Sequence, residues 1–149
     1  MRAVVQRVRF GRVEVGGAVA GEIGAGLLVL LSVAKDDTPA DRAYLVDKVA
    51  GLRIFADEAG RMNLDVRQAG GAILLVSQFT LHGDVRRGRR PGFTDAMAPE
   101  GAAPEIERVA AELRALGLGV AQGVFGADMQ VTLCNDGPVT ILLDSKKVF

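Results

Sequence analysis

The chain has 149 residues, the length of one domain with room for a sizeable core. Apolar residues make up 49% and charged residues 24%, a balance that excludes an intrinsically disordered chain. Lys and Arg total 18 and Asp and Glu total 18, so no whole-molecule charge draws it to nucleic acid; such binding must come from a local patch.

In chain order, Ala3–Phe10 reads as a strand. Arg12–Val15 and Ala18–Ile23 flank Gly16-Gly17, a hairpin signal. Leu27–Val33 is uniformly apolar, as expected of a strand covered on both faces. Thr38-Pro39-Ala40-Asp41 opens a helix: a hydroxyl at the N-cap, proline at the first position and a carboxylate near the positive end. Leu45, Val46, Val49 and Leu52 then recur at helical spacing. A short strand is expected over Arg53–Phe55, a loop over Asp57–Asn63, and a buried strand over Ala72–Val76 that runs into Ser77-Gln78-Phe79-Thr80-Leu81. Residues 82–103 show no periodicity, and such long stretches in compact domains are usually functional or disordered. A second helix is predicted over Pro104–Leu116, stopped by Gly117. Strands follow over Leu118–Gln122, Met129–Cys134 and Val139–Leu143, and the polar tail Asp144–Phe149 is expected to fray at its end. Many strands with two helices fit a curved or doubled sheet with helices on one side.

The N-terminus carries charges throughout and lacks an apolar signal core, and the longest apolar run, Leu27–Leu31, is too short to span a membrane. A soluble cytoplasmic protein is the expectation. Cys134 is the one cysteine, so an internal disulfide is excluded; its apolar neighbours favour a buried structural thiol over a nucleophile. No clustered Cys or His suggests zinc, and neither a Walker loop nor a complete dinucleotide fingerprint is present. No metal or cofactor is therefore expected. His82, the one histidine, reads as a partly exposed loop residue rather than the base of a Ser-His-Asp relay.

Three stretches remain as candidates. Ser77-Gln78-Phe79-Thr80 sets three hydrogen-bonding side chains and a ring at a strand end, which suits a site but also an edge whose hydroxyls satisfy local backbone. Arg86, Arg87, Arg89 and Arg90 surround Gly88, with Phe93 nearby. Arginine forks match phosphate oxygens and a ring can stack on a base, although a solvated flexible loop would look the same. Asn135-Asp-Gly137-Pro138-Val-Thr140 interrupts two apolar runs, as a tight hairpin turn would, or as a working surface built on the Gly-Pro pair.

Two of these stretches resemble the paired signatures of the D-aminoacyl-tRNA deacylases, SQFTL at 77–81 and NDGPVT at 135–140. QRV at 6–8, GEIGAGLLVLL at 21–31, RIFADEAGRMNL at 53–64 and FGADMQV at 125–131 are similar to their counterparts in order and spacing, so the likeness covers nearly the whole chain. It implies an α/β, single-domain, three-layer β/β/α fold over residues 1–149, with a curved mixed sheet and two main helices. It implies a homodimeric enzyme that hydrolyses the ester between a D-amino acid, or glycine, and the 3′ end of tRNA. Carried onto this chain, Ser77, Gln78, Phe79 and Thr80 would line the catalytic pocket, with Met129 and Asn135 contributing to substrate binding. Gly137 and Pro138, joined by a cis bond and braced by Arg7, would reach into the partner's site as a chirality gate. The tRNA would meet Arg86, Arg87, Arg89 and Arg90. One departure stands in that loop: Gly92 occupies a place where the family commonly has serine. A non-catalytic tRNA-binding module and a small-molecule esterase using Ser77 or Thr80 are the rival expectations.

Overall fold

The computed structural model describes residues 1–148. Its order is β1 (Arg2–Val15), β2 (Ala18–Ile23), β3 (Gly26–Ser32), α1 (Pro39–Gly51), β4 (Phe55–Ala56), β5 (Met62–Leu64), β6 (Ala72–Ser77), a 3-10 turn (Phe79–His82), α2 (Pro99–Ala115), β7 (Val120–Gln122) and β8 (Gln130–Asp144). Six strands form one mixed sheet in the order β2-β1-β3-β6-β7, with β8 on the other edge of β1. β3, β6 and β7 run parallel to one another, and β1 is antiparallel to β2, β3 and β8.

Strand alternation sorts the apolar side chains into two cores. Leu27, Val29 and Leu31 of β3 and Ile73 and Leu75 of β6 meet α1 and α2 through Leu45, Val49, Val109 and Leu113. Leu28, Leu74 and Val76 face the other way and meet Val8 and Val13 inside the curl of the sheet. The apolar run at 27–33 is thus covered on both faces. The curl nearly closes where β2 reaches β7: a Cβ on Gly21 would lie 2.4 Å from the Gln122 carbonyl oxygen, so only glycine allows this approach. The α/β arrangement of a curved mixed sheet and two main helices is as the sequence implied.

Gly16 and Gly17 turn β1 into β2 with φ of +57° and +81°, the doubly positive pair of a two-residue hairpin. At α1, Thr38 is the N-cap, and Asp41 closes the first turn by accepting from the Thr38 N–H at 2.9 Å and its hydroxyl at 2.7 Å.

Several boundaries differ from the sequence reading. β1 runs unbroken through Gly11, where a Cβ would lie 3.2 Å from Leu74 Cδ2; that glycine makes room for the inner core rather than ending a strand. α2 starts at Pro99, five residues before Pro104, because the exposed Pro104 gives up a single backbone bond close to the helix start. β4 and β5 form a small hairpin where a strand and a loop were expected. The start of the tail is anchored through Lys146. Ser145 Oγ donates to Asp41 Oδ1 at 2.7 Å and receives the N-terminal ammonium at 2.6 Å, and Lys146 Nζ reaches Asp41 Oδ2 at 2.9 Å. These partners hold the Asp41 carboxyl below its ordinary range against the opposing effect of burial. Phe149, the last residue of the predicted tail, lies outside the described residues.

Candidate functional site

β6 delivers its last residue, Ser77, to the mouth of a cleft of about 630 Å³. The Gln78 N–H then bonds to Leu31 O at 2.8 Å, and the chain tightens into the 3-10 turn Phe79–His82. Among the described residues, neither the Phe79 nor the Thr80 N–H has a hydrogen-bond acceptor, as expected for the first donors of a turn. Gln78 Nε2 donates to Thr80 Oγ1. The Phe79 ring is 58% exposed and meets Phe93 edge to face, with centroids 5.0 Å apart.

The cleft brings together Ser77, Gln78, Phe79 and Met129; Thr80 stands beside it through its bond to Gln78. It adds Phe93, noted in the sequence only as a stacking ring beside the arginine loop, and three residues the sequence reading did not assign to the site: Met97 from the segment before α2, and Phe125 and Asp128 from the segment before β8. Asp128 is the one carboxylate among the described lining residues. No periodicity could have flagged these four, because they come from irregular chain far from Ser77.

His82 is not a partly exposed loop residue. It is buried, with Nδ1 2.6 Å from Ser32 Oγ, and turned away from the cleft. Cys134 is half-buried rather than buried, since its strand is at the sheet edge. Among the described residues, no group of three His, Cys, Asp or Glu side chains could hold a metal ion.

The NDGPVT segment is not a hairpin turn. The residues on both sides pair with the same strand, Asn135 opposite Val8 and Thr140 opposite Gln6, so β8 continues and residues 136–139 bulge out of it. Asn135 closes the base of the bulge: its Oδ1 accepts the Val139 N–H at 2.9 Å and its Nδ2 donates to Thr140 Oγ1 at 3.1 Å. Arg7, opposite the bulge, donates through Nε to the Asp136 carbonyl at 3.0 Å and through Nη1 to the Ile54 carbonyl. The Gly137-Pro138 bond is cis, and both residues are exposed. Neither lines the cleft of its own chain.

Asp84 and Gly92 pair as an antiparallel bridge, with N–H···O distances of 2.8 and 2.9 Å, and close the arginine loop. Gly92 serves here through its backbone, and a Cβ at that position meets only the Asp84 oxygen at 4.0 Å, so serine would fit equally. Arg86 is not free: its Nε and Nη2 hold Asp84 at 2.9 and 2.7 Å, and the Asp84 carboxyl is lowered to about 2 chiefly by that pairing. Arg87, Arg89 and Arg90 are exposed and without a partner among the described residues.

Comparison with known proteins gives a consistent family. The family model described as D-Tyr-tRNA(Tyr) deacylase matches residues 4–144. A protein of Anaeromyxobacter dehalogenans named D-aminoacyl-tRNA deacylase is 62% identical over the full length of both chains. A protein of the same name from Symbiobacterium thermophilum is 60% identical over all of this chain and 99% of its own. Among solved structures, one titled c-Myc DNA Unwinding Element Binding Protein is similar at a TM-score of 0.91 and 42% identity, covering 97% of this chain and 98% of its own. Another, titled as a probable eukaryotic D-amino acid tRNA deacylase, has a TM-score of 0.82 at 19% identity over 95% of this chain and 97% of its own, a likeness of fold.

Proposed function

The chain belongs to the D-Tyr-tRNA(Tyr) deacylase family of hydrolases, and we propose that it hydrolyses D-aminoacyl-tRNA, and glycine wrongly attached to tRNA, at a site shared between two subunits. The observation that carries this reading is the turn after β6: exposed Phe79 and two N–H groups without acceptors, set at the rim of a largely apolar cleft.

In the reaction, a water oxygen attacks the ester carbonyl carbon. The bond from that carbon to the ribose 3′ oxygen breaks, and the ribose oxygen takes up a proton. An aminoacyl ester is already activated, so positioning and stabilisation of the oxyanion matter more than a strong nucleophile. The Phe79 and Thr80 N–H groups supply that stabilisation, and one such donor is worth about 3 kcal/mol. The neighbouring ribose 2′-hydroxyl helps to activate the water.

Selectivity comes from the Gly137-Pro138 bulge of the other subunit. Its exposure, and its absence from the lining of its own chain's cleft, support a role on a partner. Backbone carbonyls aimed at the substrate ammonium accept any amino acid by the group all share. An L-amino acid held there drives its side chain into the bulge, whereas glycine has none to reject. The tRNA end meets Arg87, Arg89 and Arg90, and the reaction takes place in the cytoplasm, where charged tRNA is used.

Purified protein incubated separately with D-tyrosyl-tRNA and L-tyrosyl-tRNA should release free tyrosine from the first and leave the second intact. Binding of both without release would make the chain a tRNA-binding module instead. Release from simple esters without RNA would make it a general esterase.

The pairing of Arg86 with Asp84 sharpens the expectation for the loop. Replacing Arg87, Arg89 and Arg90 together by alanine should reduce the slope of log affinity against log salt by roughly 2, at about 0.7 per lost single-strand phosphate contact. Arg86→Ala alone should change it little. Filter binding across a salt series tests this, and an unchanged slope in the triple variant would return the loop to plain solvent exposure.

A further inference from the structure

His82 has no part in the chemistry described so far, yet the 3-10 turn hangs on it. Within Phe79–His82 it is the one buried side chain, at 6% exposure. Its Nδ1 lies 2.6 Å from the hydroxyl of Ser32, itself 2% exposed, at the end of β3. Arg2 of β1 donates through Nη1 to the Leu81 carbonyl at 3.0 Å and through Nε to Asp144 of β8 at 2.9 Å. The entry to the turn is held by the bond from Gln78 to Leu31. The four residues are therefore tied to two strands, β1 and β3, and the imidazole is the tie made by the turn's own side chains.

We propose that His82 is a positioning residue for the hydrolysis: its neutral imidazole, bonded to Ser32, fixes the angle at which the turn presents the Phe79 and Thr80 N–H groups to the ester carbonyl. This rests on the reading of that turn as the carbonyl-binding element.

The surroundings keep the ring neutral. Burial, then the charges of Arg2 and the N-terminal ammonium, push its pKa below the ordinary 6.5, while Asp37 and Asp144 pull the other way. Behind the ring is a second cleft, of about 260 Å³, lined in part by Lys35, Asp36, Asp95 and Lys146. Lys35 is paired with Asp95 at 3.0 Å and Lys146 with Asp41 at 2.9 Å. If Nδ1 accepts from Ser32 in the neutral ring, protonation turns it into a donor and the serine hydroxyl must rotate. If Nδ1 already donates, the new proton enters at Nε2. The first case undoes the present bond to Ser32; the second keeps it but places a charge near Arg2 and the N-terminal ammonium. A native pKa below the unfolded value means that the unfolded chain binds more protons between the two. Stability therefore falls as pH drops from 6.5 to the native pKa and is unaffected above that window.

The test is steady-state hydrolysis of D-tyrosyl-tRNA by the full chain from about pH 5 to 8, the range in which an imidazole titrates. Wild type, His82→Asn and His82→Ala are compared on one substrate, so that titration of the substrate amine is common to all. Asparagine carries its polar atoms one bond from Cγ, as Nδ1 is, and reaches Ser32 without a titrating ring. It should keep kcat near the wild-type value at neutral pH and lose the acid limb. His82→Ala should lower kcat by roughly ten- to a hundredfold with little change in KM, as a small misplacement of catalytic donors does. An acid limb unchanged in His82→Asn, or a wild-type kcat in His82→Ala, overturns the proposal. Should the alanine variant not fold, the asparagine pH profile decides alone. Wild type inactive on D-tyrosyl-tRNA would instead refute the deacylase reading beneath it.

Discussion

Alanine at position 137 should lower D-aminoacyl-tRNA hydrolysis by about a hundredfold or more, the scale of a misplaced positioning element, while the chain stays folded. Gly137 has φ of +136°, a backbone state that costs an L residue about 1–3 kcal/mol. A Cβ there would lie 2.7 Å from Val139 Cγ2, 3.0 Å from the Val139 nitrogen and 3.1 Å from Arg7 Nη2. The bulge can relieve this only by rotating its backbone, which re-aims the carbonyls that the proposed gate presents and pulls against the bond from Arg7 to Asp136. The fold should survive because Gly137 is exposed and the ladder on either side, Gln6 to Thr140 and Val8 to Asn135, is untouched. Circular dichroism and melting would establish the fold, and deacylation of D-tyrosyl-tRNA the effect. Mixing this chain with a Gln78→Ala chain tests the shared site directly. If each cleft takes its gate from the partner, the heterodimer holds one intact site and regains activity that neither parent has. A Gly137→Ala protein with wild-type rates would return the bulge to a structural role.

Legibility in the sequence followed how local each cause is. The Gly16-Gly17 hairpin and the start of α1 are set by neighbouring residues, and both were readable. The apolar run of β3 was readable because both of its faces are covered. The bulge at 136–139 was not, because Gly-Pro between apolar runs has the local chemistry of a hairpin; what forbids reversal is the pairing of both runs with β1, more than a hundred residues away in the chain. His82 failed for the same reason: its burial depends on Ser32 and Arg2, from strands at the start of the chain. In the cleft, Ser77–Thr80 was marked by its place at a strand end and then by the family motif, and Met129 by the motif alone, whereas Phe93, Met97, Phe125 and Asp128 belong to irregular segments whose meeting is a property of the tertiary fold.

A substrate whose tRNA ends in 2′-deoxyadenosine should be hydrolysed roughly a hundredfold or more slowly, the usual worth of a positioned proton-transfer group. The argument is one of inventory. Thr80 has no base: its hydroxyl oxygen accepts from the Gln78 amide, which cannot remove a proton, so an acyl-Thr80 intermediate lacks its activating partner. His82 is turned inward on Ser32. Among the described residues lining the cleft, the ionisable side chain that remains is Asp128. The proton of the attacking water therefore leaves either by way of the substrate's own 2′-hydroxyl or to Asp128, and the two routes separate cleanly. With the ribose route, the deoxy substrate is slow, Asp128→Asn costs less than about tenfold, and Thr80→Ala keeps substantial turnover, since what it loses is a pocket contact rather than a proton-transfer group. With the carboxylate route, Asp128→Asn is the slow variant and the deoxy substrate reacts normally. Single-turnover rates for the four combinations of substrate and Asp128 variant, read as a cycle, decide between them, and a trapped acyl-Thr80 adduct would overturn both.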